Sequence, residues 1–117
     1  MNKEDFLQRT RAFGLRVIRL VEKLARNQTA QILGRQLLRS GTSVGANYRA
    51  AVRAKSRADF ISKMGTVEEE CDEAIYWIEM LVDAGAIKRA TVADLVDEGN
   101  QILSIVVASI KTARRGK

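Results

Sequence analysis

No proline interrupts this chain of 117 residues, and that absence constrains its fold more than any motif does. Proline breaks helix interiors and punctuates loops, so a chain without it is free to run in long helices. The apolar residues use that freedom, recurring at steps of three and four rather than two along nearly the whole sequence. A chain of this length suits one domain with a single core. The expectation is therefore one all-α domain over residues 1–117.

Four amphipathic segments follow from the period. The first covers about residues 5–26, with Asp5 as its N-cap and Phe6, Thr10, Phe13, Val17, Leu20, Val21 and Leu24 on one stripe. The second covers 29–54, after the polar break Asn27-Gln28, with Leu33, Leu37, Ser40, Val44, Asn47, Tyr48 and Ala51 inward. Its register survives the segment Ser40–Gly45 (SGTSVG), although each glycine costs about 1 kcal/mol in a helix interior. One continuous helix is expected there, with small residues that let a neighbour approach closely. The third covers 56–84, opened by a capping box Ser56-x-x-Asp59 and closed by Gly85. The fourth covers 91–113, opened by Thr91-x-x-Asp94. Short connections between long helices make antiparallel neighbours, hence an up-down-up-down four-helix bundle.

Charge is divided along the chain. Residues 1–57 carry 13 Lys/Arg and three acids, a net of +10, whereas residues 58–117 carry seven Lys/Arg and eleven acids, a net of −4. At 100° per residue, Arg9, Arg16, Arg19, Lys23 and Arg26 share the outer face of the first helix. Arg35, Arg39, Arg49, Arg53 and Arg57 share that of the second. The exposed arc of the third helix holds Glu68, Glu69, Glu70, Asp72, Glu73, Glu79 and Asp83. Three readings of the cations stand: phosphate contact through counterion release without sequence specificity, an electrostatically assembled protein surface, or a solubilising face. Pairing with the acidic helix takes up some of them under any reading.

The missing chemistry is as informative. The sequence has no histidine, which removes Ser-His-Asp and Cys-His catalysis and most zinc and di-iron sites. Neither the G-x-x-x-x-G-K-[ST] nor the G-x-G-x-x-G phosphate loop occurs. The acidic run Glu68–Ala74 reads as a solvated or salt-bridged face ahead of a Mg²⁺ or Ca²⁺ site, because its carboxylates share an outer arc instead of converging. Cys71 falls on the apolar stripe, as a buried structural thiol does. No enzyme, metal or cofactor is expected. A lone cysteine and an opening without an apolar core lead to the expectation of a cytoplasmic chain. The longest apolar stretch, Ile102–Ile110, falls far short of a membrane span of about 20 residues.

Two positions stay open. Asn47 lies on the apolar side of the second helix and needs either an internal hydrogen-bond partner or a bound group. Tyr76 and Trp77 cannot both face the core that Ile75 and Ile78 occupy. Trp77 then caps the bundle under a neighbouring helix, packs on another subunit, or stacks on a base.

The run Arg39–Met64 (RSGTSVGANYRAAVRAKSRADFISKM), followed by Glu69–Leu81 (EECDEAIYWIEML), resembles the bacterial four helix bundle protein family, first noticed in intervening sequences of 23S ribosomal RNA genes. The accessory variability determinant of diversity-generating retroelements is related to it. The resemblance implies an antiparallel four-helix bundle, a homopentameric barrel, and association with RNA, DNA or a reverse transcriptase-like protein through a basic surface, with no enzymatic activity. The family's S-V-x-A-N element maps to Ser43, Val44, Ala46 and Asn47, and its Y-W pair to Tyr76 and Trp77. Ala50 and Glu69 depart from the glutamate and lysine common there, so a pair between those positions is missing. The expected nucleic-acid-binding residues are Arg16, Arg19, Lys23, Arg26, Arg35, Arg39, Arg49 and Arg53. Those of the subunit interface are Ser43, Asn47, Tyr76 and Trp77. A protein-binding scaffold without a nucleic-acid role is the rival expectation.

Overall fold

Apolar side chains spaced at three and four residues form one seam per helix, and a seam must be buried against another. The computed structural model describes residues 1–116. It contains four helices, α1 (Lys3–Glu22), α2 (Gln28–Val52), α3 (Arg57–Asp83) and α4 (Arg89–Arg115). Short reversals join them into an antiparallel bundle of 50 × 21 × 21 Å. Phe13, Val17, Leu37, Val44, Met64, Val67, Ile78, Leu81, Ile102 and Val106 are fully buried in one core. Each such side chain contributes about 1.5–3 kcal/mol by leaving water. Packing is extensive between α1 and α2, α2 and α3, and α3 and α4, and sparse between α1 and α4.

The helix ends show where local chemistry overrode the expected bounds. Asn2, not Asp5, caps α1: its side chain accepts from the Asp5 N–H at 2.8 Å. The earlier start leaves Glu4 and Asp5 in the first turn, where their charge meets the positive end of the helix dipole. At the other end α1 stops at Glu22, short of Arg26, because Asn27 is committed to capping α2 by accepting from the Ala30 N–H at 2.9 Å. The reversal still buries Leu24, which folds back over Gly34; a Cβ at Gly34 would stand 2.9 Å from Leu24 Cδ1. At the start of α3, Ser56 Oγ accepts from the Asp59 N–H at 3.0 Å, and the Asp59 carboxylate accepts from the Lys55 N–H at 3.1 Å. That bond and a stronger one from Lys63 hold the Asp59 carboxyl below its usual range. Gly85, with φ of 81°, ends the helix in a Schellman turn. There the Ala86 N–H reaches Leu81 O at 2.9 Å and the Gly85 N–H reaches Val82 O at 3.0 Å. The Thr91–Asp94 box is not used. Helix α4 starts earlier, from Lys88, without a side-chain cap, because Arg89 and Ala90 are good helix formers and draw Thr91 into the first turn.

Helix α2 runs unbroken through Ser40–Gly45. Its polar side chains bond to their own helix: Ser40 Oγ to Gln36 O (3.0 Å), Thr42 Oγ1 to Leu38 O (2.7 Å) and Ser43 Oγ to Arg39 O (2.7 Å). Satisfied in this way, they ask nothing of the neighbour. The neighbour comes close. A Cβ at Gly45 would lie 3.4 Å from the backbone of Thr10 and Arg11, and one at Gly14 would lie 3.6 Å from the Gly41 carbonyl. At Gly41 a Cβ would fall 2.8 Å from both methyls of fully buried Val17.

Gly41→Ala is therefore expected to lower stability by about 1–3 kcal/mol through overpacking. Gly65→Ala is expected to raise it by about 0.5–1 kcal/mol, since a Cβ there meets nothing within 4 Å. Urea midpoints of the two variants shifted in the same direction would contradict the close α1–α2 contact.

Candidate nucleic-acid interface

The expected cations separate into committed and uncommitted groups once their partners are traced. On α1, Arg9 makes a two-pronged bond to Glu98 of α4 (2.7 and 2.8 Å) and a third to Gln101 Oε1 at 2.7 Å. The Gln101 amide in turn donates to Asp97. Fork-on-fork pairing of this kind is among the stronger charge-assisted bonds, and it joins α1 to α4, which pack sparsely. On α2, Arg39 reaches Glu73 at 2.7 Å and Glu70 at 3.3 Å, both on α3. Hydrogen bonding to Glu98 and to Glu73 strengthens the hold of Arg9 and Arg39, respectively, on their protons.

The remaining candidates have no carboxylate partner among the described residues. Arg16 is partly exposed, and Arg19, Lys23, Arg26, Arg35, Arg49 and Arg53 are exposed. Lys23 follows the last residue of α1 and Arg26 lies in the reversal, so both extend the cationic strip beyond the helix. In the basic tail of α4, Lys111, Arg114 and Arg115 are exposed, and Lys117 lies outside the described residues.

Asn47 and Ser43, both half-buried, bond to their own helix; the Asn47 Nδ2–H donates to Ser43 O at 2.8 Å. The amide therefore has an internal acceptor. Tyr76 is 51% exposed, with Trp77 edge-on at 5.1 Å and half-buried against the core. The indole Nε1 is buried without an acceptor among the described residues. These four residues do not converge on a pocket.

A groove of about 700 Å³ on the outer side of α1 and α2 is lined by Arg49 and Arg53 of the expected second stripe together with residues outside both stripes. Leu7, Leu15, Ile18 and Val52 line it with Gly14, Gly45 and Ala46, and Arg11 and Glu4 join Arg49 and Arg53 there. The available signal was a second apolar strip on α1, Leu7–Leu15–Ile18, that does not belong to the core stripe.

Among the described residues no cluster of His, Cys, Asp and Glu is arranged to hold a metal, and no helix is long and apolar enough to cross a membrane. Cys71 is buried, its Sγ 3.4 Å from Gly99 O. Burial, with smaller contributions from the charges of Asp72 and Glu98, pushes its thiol up to about 12.

The sequence profile of the 23S rRNA-intervening sequence proteins matches residues 2–108. The chain belongs to that family. A crystal structure of a protein of unknown function from the S23 ribosomal protein family of Bacteroides thetaiotaomicron has the same fold, with a TM-score of 0.88 and 33% identity. The match covers 95% of this chain and 99% of that one. No curated protein matches the chain. The expected family and bundle architecture are thus shown. In this 23S rRNA-intervening sequence family member, α2 and α3 are the pair that packs most extensively.

The thiol supplies a pH test. Below the ordinary value of 9.0 both folded and unfolded chains keep the Cys71 proton, and its burial contributes in full. Above it the unfolded chain releases the proton while the folded chain holds it to about 12, so this contribution is lost as pH rises through that window. Urea denaturation from pH 8 to 11 is expected to show a steeper loss of stability in the parent than in Cys71→Ala. Parallel curves would contradict the buried, protonated thiol.

Proposed function

We propose that the chain is a non-enzymatic, homo-oligomeric helical bundle, pentamer-like, that binds RNA or DNA, alone or within a ribonucleoprotein, through the basic faces of α1 and α2. The observation that carries this reading is the set of unpaired cations. Arg9 and Arg39 are taken up by Glu98 and by Glu70 and Glu73, yet Arg16, Arg19, Lys23, Arg26, Arg35, Arg49 and Arg53 have no carboxylate partner among the described residues. Holding like charges on adjacent helices costs energy at low salt, and a polyanion offsets that cost by exchanging its condensed counterions for them. Arginine is suited to this role, because its guanidinium forks onto phosphate oxygens.

Each cation is proposed as a phosphate contact, not a base reader. Contacts to phosphate position a protein without specifying sequence, so affinity is set by length and charge of the nucleic acid more than by its sequence. The resemblance of the SGTSVGANYR and DEAIYWIE segments to a family with basic, ring-shaped relatives supports the oligomeric part of the reading. A reverse transcriptase-like protein is a partner consistent with that resemblance.

Electrophoretic mobility shifts with labelled mixed-sequence single-stranded RNA and duplex DNA provide the test. Binding is expected at about 50 mM salt and is expected to weaken by orders of magnitude by about 200 mM. No shift at the lower salt would contradict the proposal.

A further inference from the structure

Two surfaces of the bundle complement each other. The first is the outer groove of α1 and α2. By helical geometry Leu7, Arg11, Leu15 and Ile18 fall within an arc of about 80° on α1. Leu15 is 41% exposed, and Arg49 and Arg53 of α2 flank the same groove. The second is the outer face of α3, where Glu69, Asp72, Tyr76, Glu79 and Asp83 also fall within about 80°. Tyr76 is the most exposed aromatic residue, and Glu69, Asp72 and Glu79 have no ion-pair partner among the described residues. Arg11, Arg49 and Arg53 have none either.

We infer that the α1–α2 groove of one copy receives the acidic, Tyr76-bearing face of α3 from a second copy, in a head-to-tail contact. This rests on the homo-oligomeric part of the proposed function and divides the cations that it invoked. Each surface has what the other lacks: a groove of apolar and small residues where Arg11, Arg49 and Arg53 outnumber the one acid, Glu4, and a protruding amphipathic aromatic residue with an acidic border. Tyrosine provides large contact area at a low cost in side-chain entropy, which is why it is enriched at interfaces. Complementary potentials fix register and exclude the wrong pairing, such as groove on groove, where arginines would meet arginines. Because the two surfaces differ, the contact is heterologous. Repeated, it leads to a ring where the rotation closes. Arg16, Arg19, Lys23 and Arg26 do not line the groove, and in this assembly they stay open to phosphate.

Size-exclusion chromatography with light scattering, run alongside circular dichroism to confirm folding, tests the contact through charge reversal. The parent chain at tens of micromolar is expected to be an oligomer. Arg11→Glu with Arg49→Glu is expected to give monomers, as is Glu69→Arg with Asp72→Arg. All four changes in one chain are expected to recover association. A monomeric parent would overturn the oligomeric reading itself. An oligomeric parent whose mass is insensitive to the α3 reversals, or reversals that are not mutually rescued, would overturn this assignment of surfaces while leaving oligomerisation standing.

Discussion

The close approach of α1 and α2 is the constraint on which the rest depends. These two helices carry eight Lys/Arg against three acids, and electrostatics alone would push them apart. They meet because Gly14, Gly41 and Gly45 bring backbone within van der Waals reach of backbone, and because Val17 fills the space above Gly41. Each glycine costs about 1 kcal/mol of helix stability, and buried contact across the seam offsets it. Once the inner faces are locked in this way, every arginine at 100° steps from the seam must point outward. The cationic surface is a consequence of the packing.

The carboxylates then sort the cations. Glu98 holds Arg9 where α1 and α4 pack sparsely, and Glu70 with Glu73 holds Arg39 where α2 meets α3. The exposed Arg39 pairs contribute little stability of their own, whereas the part-buried Arg9–Glu98 fork ties α1 to α4. Together they neutralise two arginines and leave the others open. An arginine's role is therefore decided by which acid the fold brings near it, information that no count of charges along the chain contains. Arg39 illustrates the point, since it belongs to the same sequence stripe as Arg35 and Arg53 yet is already occupied.

Fold and site were legible in the sequence to different degrees. The helices follow from periodicity because core burial is periodic: Phe13, Val17, Val67 and Ile78 sit where a 3.6-residue repeat puts them. Ends were less legible, because several residues compete for each cap. Asn2 displaced Asp5, and Asn27 claimed the start of α2 and so shortened α1. Ser56 and Gly85 were readable because each combines the right residue with an unambiguous neighbour. The candidate site was readable only as two stripes. Arg11 lies outside both, and Leu7, Leu15 and Ile18 around it mark a second apolar strip. The internal acceptor of Asn47 lies one turn back in its own helix, a solution that sequence spacing permits but does not select.

The central claim is that the uncommitted cations of α1 contact phosphate while those already paired do not. The salt dependence of affinity counts such contacts, because the slope of log Kobs against log salt changes by about 0.9 for each phosphate neutralised on duplex DNA. Fluorescence anisotropy titrations at a series of salt concentrations would compare the parent with Arg16→Gln/Arg19→Gln/Lys23→Gln/Arg26→Gln and with Arg39→Gln. The account expects the quadruple variant to flatten the slope by about 3–4 and Arg39→Gln to leave it unchanged. Equal slopes for the parent and the quadruple variant, or a flattening per residue as large for Arg39→Gln, would contradict it.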